Sequence, residues 1–127
     1  MPALHVITNL GDDRVSDELI RRLSRLTAEL TNRIEEVIEV IVQPNQRLAF
    51  HGTLAPAAFV TLVNVTKWTE ERARRAAERL TALLVAELGL KAERIFIVFD
   101  EKTPTTVARG DRLVKDLRAD WSAKGKL

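Results

Sequence analysis

The residues that could do chemistry are few, and the first of them is the second residue of the chain. Pro2 follows Met1 and carries a small ring, the context in which an initiator Met is normally excised. Excision leaves a secondary amine at the terminus. An α-amino group starts at a pKa of about 8. At the mouth of an apolar pocket, beside a cation, its charged form is disfavoured and the pKa falls. An amine that titrates near the working pH is a good general base. Met-Pro is equally a common start with no role, and the dipeptide alone does not decide between the two.

The other titratable residues point less clearly to a site. His5 and His51 are isolated, and a lone His in a strand is more often a satisfied structural residue than a ligand. Glu35, Glu36 and Glu39 read as the start of a strand and its exposed side, and Asp12 and Asp13 as loop residues. There is no glycine-rich phosphate loop, no GxSxG elbow, and no HExxH or other paired-His spacing. The absence of cysteine excludes disulfides, thiolate metal sites and thiol catalysis. Neither a metal nor an organic cofactor is expected.

The frame that must position these residues is small. The 127 residues fit one domain with one core. Twenty Lys and Arg against 18 Asp and Glu leave a net charge of +2 with the signs mixed along the chain, which argues against a nucleic-acid binder. No apolar run approaches the roughly 20 residues of a membrane span. The start, Met1-Pro2-Ala3-Leu4-His5, has no secretory signal pattern, so a cytoplasmic protein is expected.

Apolar periodicity supplies the elements. Ala3–Thr8 reads as a strand. Ser16 can cap a helix with Asp17 and Glu18 in its first turn and Leu19, Ile20, Leu23, Leu26 and Leu30 on one face. Val37–Val42 is a strong β run, and Leu48-Ala49-Phe50 a shorter one. The order then repeats. Phe59–Val65 is a strand, and Thr69 can cap a helix carrying Ala73, Ala76, Ala77, Leu80, Leu83, Leu84 and Leu88, with Gly89 as its stop. Ile95–Phe99 is the last strand. The halves also register without gaps at a shift of 58 residues, with Glu29-Leu30 on Glu87-Leu88, Arg33 on Lys91, Glu35 on Glu93 and Val37–Ile41 on Ile95–Phe99.

This points to duplicated β-α-β units, with right-handed crossovers placing both helices on one side of a single sheet. The strands are apolar on both faces, so the uncovered face would be a large sticky patch, and self-association is its simplest cover. The segment from Asp111 to Leu127 differs in character: Leu113, Val114, Leu117 and Trp121 form a narrow apolar stripe, consistent with a short amphipathic helix that docks on the body, docks on a neighbouring subunit, or frays.

Several segments in order resemble the macrophage migration inhibitory factor family of the tautomerase superfamily. They are Met1-Pro2 on the first strand, Thr8-Asn9, Asn32-Arg33 after the first helix, the run from Gln43 to Gly52, Pro56-Ala57-Ala58, and Glu93-Arg94-Ile95-Phe96-Ile97. The likeness runs almost without gaps from Met1 to about Gly110, which makes 1–110 the family-like domain and 111–127 a C-terminal extension. The resemblance implies an α+β two-layer sandwich: a four-stranded mixed sheet under two antiparallel helices on one face, assembled as a homotrimer with pockets at the subunit interfaces.

It also implies residue roles. Pro2 matches the catalytic N-terminal proline that shuttles a proton between carbon and oxygen of a keto/enol substrate. Arg33 stands in Asn32-Arg33-Ile34 where the family usually has Lys in Gly-Lys-Pro, and a guanidinium can hold a substrate carboxylate bidentately. Val65 matches an aliphatic residue whose backbone helps bind substrate. Phe96 and Val98 fall where a Tyr and an Asn are common, so both have lost a hydrogen-bonding group. Arg109 replaces a frequent rim aromatic. The family's Cys-x-x-Cys reads Ala57-Ala58-Phe59-Val60, which removes any thiol-oxidoreductase role.

The resulting expectation is a keto–enol tautomerase of small aromatic, phenylpyruvate-like α-keto acids. Pro2 is its base, Arg33, Val65, Phe96, Val98 and Arg109 contact substrate, and its activity is weakened by the thinner set of polar groups. The rival expectations are a cytokine-like binding protein with a vestigial pocket, secreted without a signal peptide and recognised by a protein receptor, and a trimeric scaffold with no ligand.

Overall fold

Hydrogen-bond pairing of the first strand on both its edges sets the architecture. In the computed structural model, residues 1–123 are described, with side chains through residue 120. Strand β1 (Ala3–Thr8) lies between β2 (Glu39–Gln43), which it pairs in parallel, and β3 (Ala58–Asn64), which it pairs antiparallel. β4 (Ile95–Glu101) adds in parallel to β3, giving a mixed sheet of order β2-β1-β3-β4. Helices α1 (Asp17–Thr31) and α2 (Glu70–Leu88) make the crossovers.

The helices begin and end for local reasons. Ser16 Oγ accepts from the Leu19 N–H at 3.1 Å, and Thr69 Oγ1 from the Arg72 N–H at 3.1 Å, so each supplies one of the partners a first turn lacks. Both helices stop at a left-handed residue, Asn32 (φ 54°) and Gly89 (φ 68°), whose N–H groups close back on the last turn. The two helices run antiparallel. Arg22 pairs with Glu87 at one end, and Arg79 with Glu29 at 2.8 Å nearer the other.

Strand alternation separates the two faces of the sheet. Leu4, Val6, Ala58, Val60 and Leu62 point inward and pack beneath Leu19, Leu23, Leu26 and Leu30 of α1 and Ala76, Leu80, Leu84 and Leu88 of α2. The opposite face carries Ile41, Phe59, Phe96 and Val98, which remain 37–49% exposed. Phe59 and Phe96 stack there with ring centroids 5.7 Å apart. No helix among the described residues is long and apolar enough to cross a membrane.

Three details depart from the sequence reading. First, the Val37–Val42 run begins as a 3-10 turn, Glu35–Val37, and becomes β2 only at Glu39. The Glu39 N–H donates to the Pro2 carbonyl at 3.1 Å, and earlier residues have no β1 backbone left to pair with. Second, Leu48-Ala49-Phe50 is not a strand. β1 already has a neighbour on each edge, and Phe50 makes only an isolated bridge to Thr53 around a turn with positive φ at His51 and Gly52.

Third, the duplicated units are present; the inward residues of β1 and β3 keep the shift read from sequence, as Leu4 on Leu62, but from the helix ends onward the units correspond at one residue less. Asn32 matches Gly89, Glu35–Val37 matches Ala92–Arg94, and inward Val40 matches inward Ile97. The ungapped shift would place Val40 on Val98, which faces outward; a one-residue slip exchanges the faces of a strand.

Beyond the sheet, a two-residue hairpin, β5 (Ala108–Arg109) and β6 (Arg112–Leu113), leads into α3 (Val114–Ala123). Val114 and Leu117 are buried, so this helix docks on the body, while Leu113 is 41% exposed. The stripe residue Trp121 lies outside the described side chains.

Two side chains hold the Phe50–Pro56 loop, Asn9, whose Nδ2 donates to the Leu54 and Ala55 carbonyls, and Arg94. Arg94 donates to the carbonyls of Phe50 (2.8 Å), Ala55 (2.9 Å) and Pro56 (3.1 Å), with its guanidinium 5.3 Å from the Phe50 ring centroid. Arg94→Ala should lower global stability by about 1–3 kcal/mol and, in amide exchange, release residues 50–57 before the rest of the chain.

Candidate functional site

One end of the sheet gathers the polar groups. Pro2 is buried, and alternation from Leu4 and Val6 puts its ring on the helix side. One register step beyond the Ala3–Val63 pair it lies opposite Asn64, the last residue of β3. Asn64 is 1% exposed, and neither atom of its amide has a hydrogen-bond partner among the described residues. Val65 follows, also buried, and then Thr66.

Arg33 reaches this corner because Asn32 turns the chain back at the end of α1. Its Nη2 donates to Thr66 Oγ1 at 3.1 Å and its Nη1 to the Asn32 carbonyl at 3.3 Å. A second guanidinium arrives from α3. Arg118 Nη2 donates to the Val65 carbonyl at 2.8 Å and to the same Thr66 Oγ1 at 3.3 Å. Neither arginine takes part in an ion pair among the described residues.

The electrostatic consequence falls on the chain terminus. The free amine in the structure is that of Met1, and its pKa is lowered from 8.0 to about 6, first by burial and then by the charges of Arg118 and Arg33. Each cause acts against the ammonium form. Arg33 itself is pushed below the ordinary arginine range by burial and by the like charges of Arg118 and Arg72. A neutral amine at neutral pH, next to two unpaired cations, can accept a proton and hold an anion.

The remaining expected residues lie elsewhere in the chain. Val98 sits in mid-strand on the outward face, opposite Thr61. Phe96 lies on that face towards the far end of β1, since it pairs with Phe59 and Phe59 with Ile7. Arg109 is exposed on the β5–β6 hairpin, opposite Arg112. A single chain therefore brings Pro2, Arg33 and Val65 together but not Phe96, Val98 or Arg109.

The histidines and Glu35 have other partners. His5 Nε2 is bonded to Gln43 Oε1, the His51 ring packs edge-on to Phe50, and Glu35 accepts from Ser24 Oγ at 2.9 Å. A cavity of about 330 Å³ opens beside Arg33 between the helices, walled by Arg72, Arg75 and Thr66 among others, but Pro2 is not part of its wall.

Sequence reasoning missed Asn64 and Arg118. The sign of Asn64 is an amide inside the apolar run FVTLVNV. The sign of Arg118 is its place four residues after Val114, on the side of the helix that docks.

Comparison with known proteins places these features in a family. Residues 1–113 match the family model described as macrophage migration inhibitory factor. The chain is 27% identical over 107 residues to the macrophage migration inhibitory factor of Xenopus tropicalis, covering 84% of this chain and 93% of that protein. It is 28% identical over 99 residues to a homologue from Trichuris trichiura, covering 78% and 87%. The fold is shared with the Trichinella spiralis factor, at a TM-score of 0.84, 23% identity and coverage of 87% of this chain and 98% of that one. The Prochlorococcus marinus homologue gives a TM-score of 0.82, 20% identity and coverage of 88% and 98%. Helix α3 begins just past the end of the family match.

Protein that retains Met1 should react with an amine-selective reagent along a curve centred near pH 6, not near the 8.0 of an ordinary terminus. Arg33→Ala removes one opposing cation and should move that midpoint upward; an unchanged midpoint would remove Arg33 from the electrostatics of the terminus.

Proposed function

The chain belongs to the macrophage migration inhibitory factor family, within the tautomerase superfamily, and we propose that it is a keto–enol tautomerase of phenylpyruvate-like α-keto acids. In this reading Met1 is removed and the Pro2 nitrogen is the base. The observation that carries it is the setting in which the chain starts: the Met1 amine there is half-buried beside Arg33 and Arg118 and is held well below the usual α-amino pKa, and the Pro2 nitrogen would start the chain in the same corner.

Arg33 holds the substrate carboxylate through the edge of its guanidinium not engaged by Thr66. The neutral Pro2 nitrogen takes a proton from the carbon next to the carbonyl, and the C–H electron pair becomes the C=C bond as the carbonyl pair moves onto oxygen. The proton then goes to that oxygen. The reverse sequence converts enol to keto. Retained Met1 would turn the Pro2 nitrogen into an amide without basicity.

The assembly proposed with this activity is a homotrimer. The outward face with Ile41, Phe59, Phe96 and Val98 supports it, since self-association covers that face and brings one subunit's apolar strand towards another's Pro2. A second reading, a binding protein with a vestigial pocket, is favoured by one observation: Phe96 and Val98 offer no hydrogen-bonding side chain.

An enol–keto assay with phenylpyruvate on Met-processed protein separates the two. Pro2→Gly should lower kcat/KM by roughly 10²–10⁴-fold, and Met1-retaining protein should be inactive. Equal rates for Pro2→Gly and wild type would remove Pro2 from the mechanism, and turnover by neither protein would leave the vestigial reading. For the Met-processed wild type, kcat/KM should rise with pH as the terminal ammonium loses its proton, and Arg33→Ala, which removes one opposing cation, should move that rise to higher pH. Sedimentation should give a species of three 14.3 kDa chains; a monomer would remove the interface pocket.

A further inference from the structure

We propose that Arg118, delivered by α3, is a further catalytic residue of this site: the donor that stabilises the enolate oxygen, a role that Phe96 and Val98 cannot fill. The proposal rests on the tautomerase reading above and adds a residue that lies beyond the family match.

Charge and geometry carry it together. An α-keto monocarboxylate enters with one negative charge. When its carbon loses a proton to the Pro2 nitrogen, a second negative charge develops on the carbonyl oxygen, whose carbon is bonded directly to the carboxylate carbon. A site for that transition state needs two cationic donors side by side, where a site for the ground state needs one. Arg33 and Arg118 stand side by side, their Nη2 atoms 3.1 and 3.3 Å from the single oxygen of Thr66.

The Arg118 guanidinium is also fixed and available. Its Nη2 is tied to the Val65 carbonyl at 2.8 Å, and Val114 and Leu117 bury the face of α3 from which it projects. Its Nη1 and Nε make no hydrogen bond among the described residues, so donors remain for an oxygen. Its charge reaches the chain terminus, where it counts among the causes that hold the amine neutral. Two like charges held together, with no ion-paired carboxylate among the described residues, are a poor structural arrangement and a good anion site.

The test uses the full-length, Met-processed protein, with phenylpyruvate as substrate and oxalate as a planar dianion that mimics the enolate. Arg118→Ala should lower kcat by roughly 10²–10³-fold with KM changed by less than about threefold, and should weaken oxalate binding by a similar factor. Phenylacetate, a monoanion, should bind both proteins alike. Arg118→Lys keeps the charge and should recover part of kcat, and Arg33→Ala should chiefly raise KM.

Loss of kcat and of oxalate binding without rescue by Arg118→Lys, together with loss of phenylacetate binding, would show a structural role and overturn the proposal. So would a kcat for Arg118→Ala within twofold of wild type while Pro2→Gly is inactive, an outcome that leaves the base reading standing. Should Pro2→Gly match wild type, the base reading falls, and oxalate binding still reports on Arg118.

Discussion

A positive charge is disfavoured at the place where this chain begins, and the chemistry of the site follows from that. The terminus lies against the end of a buried strand, and two guanidiniums share the Thr66 hydroxyl beside it. Burial and like charge both favour a neutral amine. The arrangement is made by backbone: the Glu39 N–H on the Pro2 carbonyl fixes the start of β1, the left-handed turn at Asn32 sends Arg33 inward, and the Val65 carbonyl holds Arg118. In the proposed reaction a substrate anion would relieve the repulsion of the neighbouring cations, so that binding and electrostatic relief would coincide.

The sheet imposes the second constraint. Period-two alternation sends Leu4, Val6, Val60 and Leu62 under the helices and leaves Phe59, Phe96 and Val98 on the other side. Two helices suffice to cover one face of four strands and have no reach to the other. Phe96 and Val98 therefore occupy a surface remote from Pro2 in the same chain, and any role for them beside Pro2 depends on a neighbouring copy of the chain.

What could be read from sequence tracks the range of the forces involved. Caps at Ser16 and Thr69, the stop at Gly89 and the apolar faces of both helices depend on neighbours within a turn, and they were legible. Strand limits depend on partners far along the chain. The first residues of the Val37–Val42 run curl into a 3-10 turn for want of β1 backbone, and Leu48-Ala49-Phe50 finds both edges of β1 taken. Pro2, Arg33 and Val65 were expected at one site through resemblance alone, since no periodicity or spacing joins them. Asn64 was not, because its buried, unpartnered amide is visible only in the folded chain. The internal repeat was legible in kind and misplaced by one residue after the helices, an error that a string of apolar letters cannot reveal because both faces of β4 are apolar.

Arg118 shows how a segment outside the family match becomes part of a site. A helix needs an apolar anchor before it can place anything, and Val114 and Leu117 supply it within one turn. Residue 118 lies four positions after Val114, so it projects from the same side that docks and must run its aliphatic stem along the body. Lysine would meet the same steric demand but could not hold the Val65 carbonyl and the Thr66 hydroxyl while keeping a second pair of donors in a fixed plane. The docked face and the guanidinium are thus one device: the apolar contact sets the position, and the arginine's geometry determines what that position can bind.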